Sequence, residues 1–156
     1  MHMGKLGVWA GLDGMTAAGA LAFAQRTEKR GYGALWTPES RGRNVLVNAA
    51  WLLAGTSKLV VASGIANIYA RDAMAMANAQ RGLNEQSKNR FLLGMGVSHR
   101  PMVSDVRGHT YGPPVVTMRA ISKRCVPPPI KRHHPLSRAA PCSQRWGPRC
   151  SRLPRS

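Results

Sequence analysis

The chain is 156 residues long and carries 23 Lys and Arg against 6 Asp and Glu, a formal net charge of +17. Hydrophobic residues make up 44% of it, enough for the core of one domain, which excludes wholesale disorder. No uncharged apolar run approaches the roughly 18 residues of a membrane span, which excludes an integral membrane protein.

Met15 to Ala24 imitates the core of a signal peptide and ends in Ala22-Phe23-Ala24. Asp13 and a single Lys5 precede it, however, and an amphipathic pattern runs through it to Lys29, so the segment reads as a helix. Three Cys without a secretory context then imply reduced thiols and a cytoplasmic protein.

In chain order, Leu6 to Ala10 is a short apolar strand. Thr16 can cap the helix that follows, whose inward face is Ala20, Phe23, Ala24 and Thr27, and Gly31 ends it. Ala34 to Thr37 is a second strand. Asn44 can cap a second helix with the face Val45, Ala49, Leu52 and Leu53, and Gly55 stops it. Leu59 to Ser63 is a third strand, Asp72 caps a third helix carrying Met76, Ala79 and Leu83, and Phe91 to Met95 is a fourth strand. Strand and helix alternate at the spacing of βαβ units, so the fold class is α/β with a parallel sheet. The strands are apolar throughout, as expected where both faces are covered. Periodicity alone leaves open whether the sheet is a doubly wound one or part of a barrel.

In either architecture the ligand site lies at the carboxyl ends of the strands. The four segments there are Gly11-Leu12-Asp13, Pro38 to Arg41, Gly64 to Tyr69 and Gly96 to His99. They hold a carboxylate, an amide, a phenol and an imidazole, a set that can surround a bound ring or merely cap helices and solvate loops. Gly94-Met95-Gly96-Val97-Ser98-His99 opens like a dinucleotide fingerprint, but His99 stands where the third glycine belongs and the run follows the fourth strand. His133 and His134 with Cys125, Cys142 and Cys150 lack the paired spacing of a zinc site, and no metal is expected. No nucleophile elbow supports a triad drawn from Ser98, His99 and Asp105.

Gly64-Ile65-Ala66-Asn67-Ile68-Tyr69-Ala70-Arg71-Asp72, followed by Arg90-Phe91-Leu92-Leu93-Gly94-Met95-Gly96-Val97-Ser98, resembles the luciferase-like monooxygenase family, in its coenzyme F-420 (deazaflavin)-dependent oxidoreductase branch. Gly4 to Trp9, Gly31 to Glu39 and Tyr111-Gly112-Pro113-Pro114 leading to Met118-Arg119 agree, so the resemblance runs over about residues 4–120. It implies a partial (β/α)8 barrel, made of the first four strands and three helices. It also implies a deazaflavin or FMN cofactor at the strand ends and hydride transfer to or from a small organic substrate. In that family a bulge with a non-prolyl cis peptide supports the ring, which maps onto Gly64-Ile65. Asn67 and the turn Gly96, Val97, Ser98 would line the ring, with Glu39 and His99 as candidate catalytic residues. Family members are often homodimers. Two departures stand out. Ala73 replaces a proline at a helix start, and Lys88-Asn89 replaces a Gly-Gly turn that Asn can still make, since it tolerates positive φ.

The charge is uneven. Residues 121–156 hold nine Lys and Arg, seven of the 11 Pro and no acid, and show no hydrophobic period. The expected division is therefore residues 1–120 as the first half of a barrel and residues 121–156 as a disordered basic tail. Back-translation suggests a frameshift. Ala120 to Val126 read in the shifted frame permits Tyr-Leu-Glu-Ala-Met, which would continue the family's fourth helix. Pro141 to Arg152 in the same frame permits a later family segment, with the single codon of Trp146 forcing a Gly. A half barrel leaves sheet edges that pair with other chains, so this chain is expected to self-associate and to be inactive by itself. The alternative reading is a small basic α/β protein whose tail contacts nucleic acid. The tail's one aromatic residue, Trp146, makes that the weaker reading.

Overall fold

The computed structural model describes residues 3–125. Strands β1 (Gly7–Trp9), β2 (Ala34–Thr37), β3 (Val60–Ser63) and β5 (Phe91–Leu92) form one sheet in that order, every neighbouring pair parallel. A second, two-stranded parallel sheet pairs β4 (Ala66–Asn67) with β6 (Met95–Gly96). Helices α1 (Ala17–Lys29), α2 (Val45–Ala54) and α3 (Ala73–Gln86) are the crossovers, and α4 (Arg100–Ser104) and α5 (Pro114–Arg124) follow β6. Four parallel strands in sequence order, each reached through a helix, are consecutive staves of a partial (β/α)8 barrel. Among the described residues no helix is long and apolar enough to cross a membrane.

All three expected caps form. Thr16 Oγ1 accepts from Gly19 N–H at 3.1 Å, Asn44 Oδ1 from Leu46 N–H at 3.0 Å, and Asp72 Oδ1 from Ala75 N–H at 2.9 Å, so Ala73 starts its helix without a proline. Gly31 ends α1 at φ 84°, and Tyr32 N–H reaches back to Thr27 O while Gly31 N–H bonds Glu28 O, a Schellman closure. Lys88 and Asn89 both take positive φ, 55° and 62°, so the turn survives the loss of two glycines.

The core lies on the outer side of the sheet. Leu35, Val61 and Phe91 share one register row with half-buried Val8, and they pack against Ala20 and Ala24 of α1, Ala49 and Leu52 of α2, and Met76 and Leu83 of α3. The opposite row is Trp9, Trp36 and Ala62. Ala62 is buried, but Trp9 is 64% exposed. The expectation that every strand is covered on both faces therefore holds for β3 and fails for β1, which is an edge strand.

Two charged side chains bind the junction of α2 and β3. Glu28 accepts from the backbone N–H groups of Ser57 (2.9 Å) and Leu59 (2.7 Å) and also from that of Lys58. Arg90 donates to Leu53 O (2.8 Å), Leu59 O (3.0 Å), Ser87 O (3.0 Å) and Thr56 Oγ1 (3.2 Å). Helix ends leave carbonyls without partners, and one guanidinium with several donors serves two of them here.

Three features differ from the sequence reading. The fourth strand is not continuous from Phe91 to Met95 but breaks at Leu93-Gly94 into β5 and β6. Helices beyond the expected three are present, α4 and α5. Helix α5 also runs through Arg124, past the expected boundary at residue 120, with the half-buried Cys125 Sγ 3.6 Å from Ala73 O. The expectations for the rest of the tail, including His133, His134, Cys142 and Cys150, lie outside the described residues.

Candidate functional site

The break in the fourth strand builds the site. Ser63 Oγ donates to Gly94 O and accepts from Gly94 N–H, both at 2.9 Å, which ties the ends of β3 and β5 together. A Cβ on residue 94 would sit 2.3 Å from Ser63 O, so only glycine fits. Beyond this clamp the two chains turn out of the main sheet side by side. The Gly64–Ile65 peptide is cis, and Ala66 N–H donates to Gly94 O at 2.7 Å and Ile68 N–H to Gly96 O at 3.1 Å. Gly96 lies flat against Ile65, where a Cβ would come within 2.5 Å of Ile65 Cγ1.

Trp9 and Trp36 flank this surface. Trp9 Nε1 donates to Gly64 O at 2.9 Å, and a Cβ on Gly64 would meet the Trp9 ring at 3.3 Å and Trp36 Cβ at 3.5 Å. Gly64, Ile65, Gly96 and Val97 are all half-buried. They form a floor of backbone and two aliphatic side chains, with the Trp9 and Trp36 side chains beside Gly64. The chain packs too closely here for a side chain on either glycine, since a Cβ on Gly64 would meet the two Trp side chains and one on Gly96 would meet Ile65.

Behind the floor sits a polar bracket. Glu39 is buried, forms an ion pair with Arg71, and accepts from Asn67 N–H at 2.9 Å. Asn67 Oδ1 in turn accepts from Tyr69 N–H at 2.9 Å, and Glu39 N–H donates to Ile65 O at 3.1 Å. Both carboxylate oxygens of Glu39 are thus engaged inside the protein.

The rim comes from the loop after β6. Ser98 takes φ 57°, and its carbonyl accepts from Tyr111 Oη at 3.4 Å. Tyr111 stacks on Tyr69 with centroids 5.3 Å apart, and the Arg100 guanidinium lies 5.2 Å from the Tyr111 centroid. Tyr69 Oη donates to Gly112 O at 3.2 Å, closing the loop over α3. His99 precedes α4 and is exposed, and its ring caps no helix N–H.

Of the residues expected from sequence, Gly64, Ile65, Gly96 and Val97 come together in the floor, Glu39 and Asn67 bond to each other behind it, and Ser98 and His99 occupy the rim. Asp13 is a loop tie, accepting from Ser40 Oγ and, at 3.1 Å, from Gly42 N–H. Sequence reasoning assigned no role to Trp9, Trp36, Arg71 or Tyr111. For the two Trp residues a signal existed, since they share one register row at the carboxyl ends of their strands, Trp9 last in β1 and Trp36 next to last in β2.

A family model described as luciferase-like monooxygenase matches residues 1–121. Among curated relatives, an uncharacterized protein of Mycobacterium tuberculosis is 34% identical over 104 residues, which is 65% of this chain and 30% of the relative. A 5,10-methylenetetrahydromethanopterin reductase of Methanolobus tindarius is 28% identical over 98 residues, 62% of this chain and 30% of the relative. Among solved structures, the coenzyme F-420-dependent tetrahydromethanopterin reductase of Methanopyrus kandleri superposes with a TM-score of 0.67 at 18% identity, covering 76% of this chain and 38% of that one. The FMN-bound oxygenating constituent of the 3,6-diketocamphane monooxygenase of Pseudomonas putida gives 0.62 at 14% identity, covering 71% and 35%. The chain therefore spans about a third of the length of the proteins it matches.

Proposed function

The chain belongs to the luciferase-like monooxygenase family, and from that premise we propose that it carries the ring-binding half of a flavin- or deazaflavin-dependent oxidoreductase acting on a small organic substrate. The observation that carries the proposal is the close-packed strand-end floor of Gly64, Ile65 and Gly96, braced by the Ser63–Gly94 clamp. Its strand-end position and the names of the related proteins support coenzyme F-420 or FMN as the occupant. When bound, such a cofactor supplies a ring carbon that accepts or releases hydride.

The chain's own residues have separate tasks in this proposal. Gly64, Ile65, Gly96 and Val97 carry one face of the ring, and Trp9 keeps water from its edge. Asn67 holds the bulge through Glu39, which is a positioning residue because both its oxygens are engaged with Arg71 and Asn67. His99 offers an exposed imidazole nitrogen to take a proton from the substrate or return it, and Ser98 fixes the turn that presents it.

Residues 3–125 supply four staves, and a barrel of this kind takes eight and about 250 residues. With one side of the ring uncovered, this chain alone would turn over little substrate, and its unpaired sheet edges favour self-association. The relatives favour this reading over a basic nucleic-acid-binding protein.

The test joins residues 1–120 to the second half of the Methanopyrus kandleri barrel and follows the absorption difference spectra of coenzyme F-420 and FMN. Saturable binding of at least one is expected. Gly96→Val, which would push Ile65 out of the floor, should weaken it by about tenfold or more. Binding of neither cofactor, or binding indifferent to Gly96→Val, would refute the proposal.

A further inference from the structure

A polar cavity of about 190 Å³ lies beside the bracket, between the β2–α2 loop from Ser40 to Asn44, Arg71, and Arg107 beyond α4. Four guanidinium groups line it, those of Arg41, Arg43, Arg71 and Arg107, and the one carboxylate in the lining, Glu39, is spent on Arg71. Among the described residues no carboxylate pairs with Arg41, Arg43 or Arg107. Asp13 touches the same loop, but through Ser40 Oγ and Gly42 N–H.

Two of these arginines are fixed in place. Arg43 donates one η nitrogen to Met15 O, and Arg107 donates one to Ser40 O at 3.1 Å. In both, Nε is buried and has no hydrogen-bond partner among the described residues. A buried donor left without an acceptor costs about 1–3 kcal/mol, more when it is charged. A protein with many arginines can scatter them over its surface in water at no such cost. What sets these apart is that two are anchored with idle N–H groups beside a cavity and without a counter-ion.

We propose that this cavity is a binding site for a phosphate-class dianion, either free or carried as a phosphomonoester. Guanidinium groups present parallel N–H donors that match two oxygens of such a group. Three cations without counter-ions balance a charge of about −1.5 to −2 better than the single charge of a carboxylate. The first turn of α2, which begins beside Asn44, adds partial positive charge on the same side. The site is separate from the ring floor, and the inference stands whether or not the chain binds a flavin or deazaflavin.

The test titrates inorganic phosphate, and separately methyl phosphate, with the full chain at constant ionic strength and follows the ³¹P line width, a readout that tolerates self-association. Saturable binding of both probes is expected, with acetate a weaker competitor. Arg43→Gln and Arg107→Gln should each raise the apparent Kd about fivefold or more, while Arg145→Gln in the basic tail leaves it unchanged. If Arg43→Gln loses its far-UV circular dichroism, Arg41→Gln replaces it, since that side chain is exposed; there about a twofold weakening is expected. A response that does not saturate, or that falls equally in the Arg145 variant, identifies diffuse attraction to a polycation and overturns the proposal.

Discussion

Glycine has two unrelated uses in this chain, and substitution separates them. Gly94 is pressed against Ser63 O, with 2.3 Å between that oxygen and any added Cβ, whereas Gly82 lies inside α3 with nothing within 4 Å of that position. Gly94→Ala must push β3 and β5 apart and should cost about 2–3 kcal/mol. Gly82→Ala removes only a helix-breaking residue and should add about 1 kcal/mol. Urea denaturation of the two variants checks both signs at once, and stabilisation by Gly94→Ala would mean that the clamp is not as tight as described. The same contrast shows what a sequence reveals of such positions. The Gly-Met-Gly run at 94–96 is visible as a motif, but the oxygen that makes residue 94 glycine belongs to a residue 31 positions earlier. Glu39 teaches a similar lesson, since nothing local in the sequence discloses that Arg71 and Asn67 N–H, about 30 residues on, engage both its oxygens.

At the scale of elements, local chemistry explains most of what the sequence discloses. Thr16, Asn44 and Asp72 each accept from the N–H groups they were expected to cap, and the inward faces of α1, α2 and α3 follow the 3.6-residue period. Where long-range contacts decide, the reading falls short. An apolar run from Phe91 to Met95 looks like one strand, and only the clamp to Ser63 divides it between two sheets. The junction of α1 with the α2–β3 loop is likewise invisible in the sequence, because Glu28 bonds three backbone N–H groups about 30 residues away. Burial pushes the Glu28 carboxyl up, but the N–H groups of Lys58, Leu59 and Ser57 and the Arg90 charge outweigh it and hold its pKa below the ordinary 4.5. A carboxyl whose pKa is lowered by folding stabilises the native state fully above its unfolded value and loses that contribution as pH falls through its folded value. Glu28→Gln should therefore be less stable than the parent at neutral pH, and the two stability curves should converge as pH drops below 4.5. Parallel curves across that range would show that the carboxylate does not hold the junction.

At the scale of the molecule, the four-stranded sheet has β1 and β5 at its edges among the described residues, with exposed Trp9 in β1 and exposed Leu6 just before it. Unpaired parallel edges with apolar side chains are templates for further strands, and a lysine on the edge is a known way to block them. The chain should sediment as a mixture of species heavier than 16.9 kDa, and Leu6→Lys should move the distribution toward that monomer mass. A parent chain that is already wholly monomeric would show that the edges are protected. In the proposed site the residues of this chain meet only one face of the ring, since they form four of the eight staves of such a barrel. The most direct measurement labels isoleucine methyl groups in the protein completed with a related second half and follows their NMR shifts as coenzyme F-420 or FMN is added. In the proposed site Ile65 lies against the ring, so its methyl resonances should move strongly upfield while those of Ile68 and Ile121 stay nearly fixed. A cofactor that binds and leaves Ile65 unmoved would contradict the assignment.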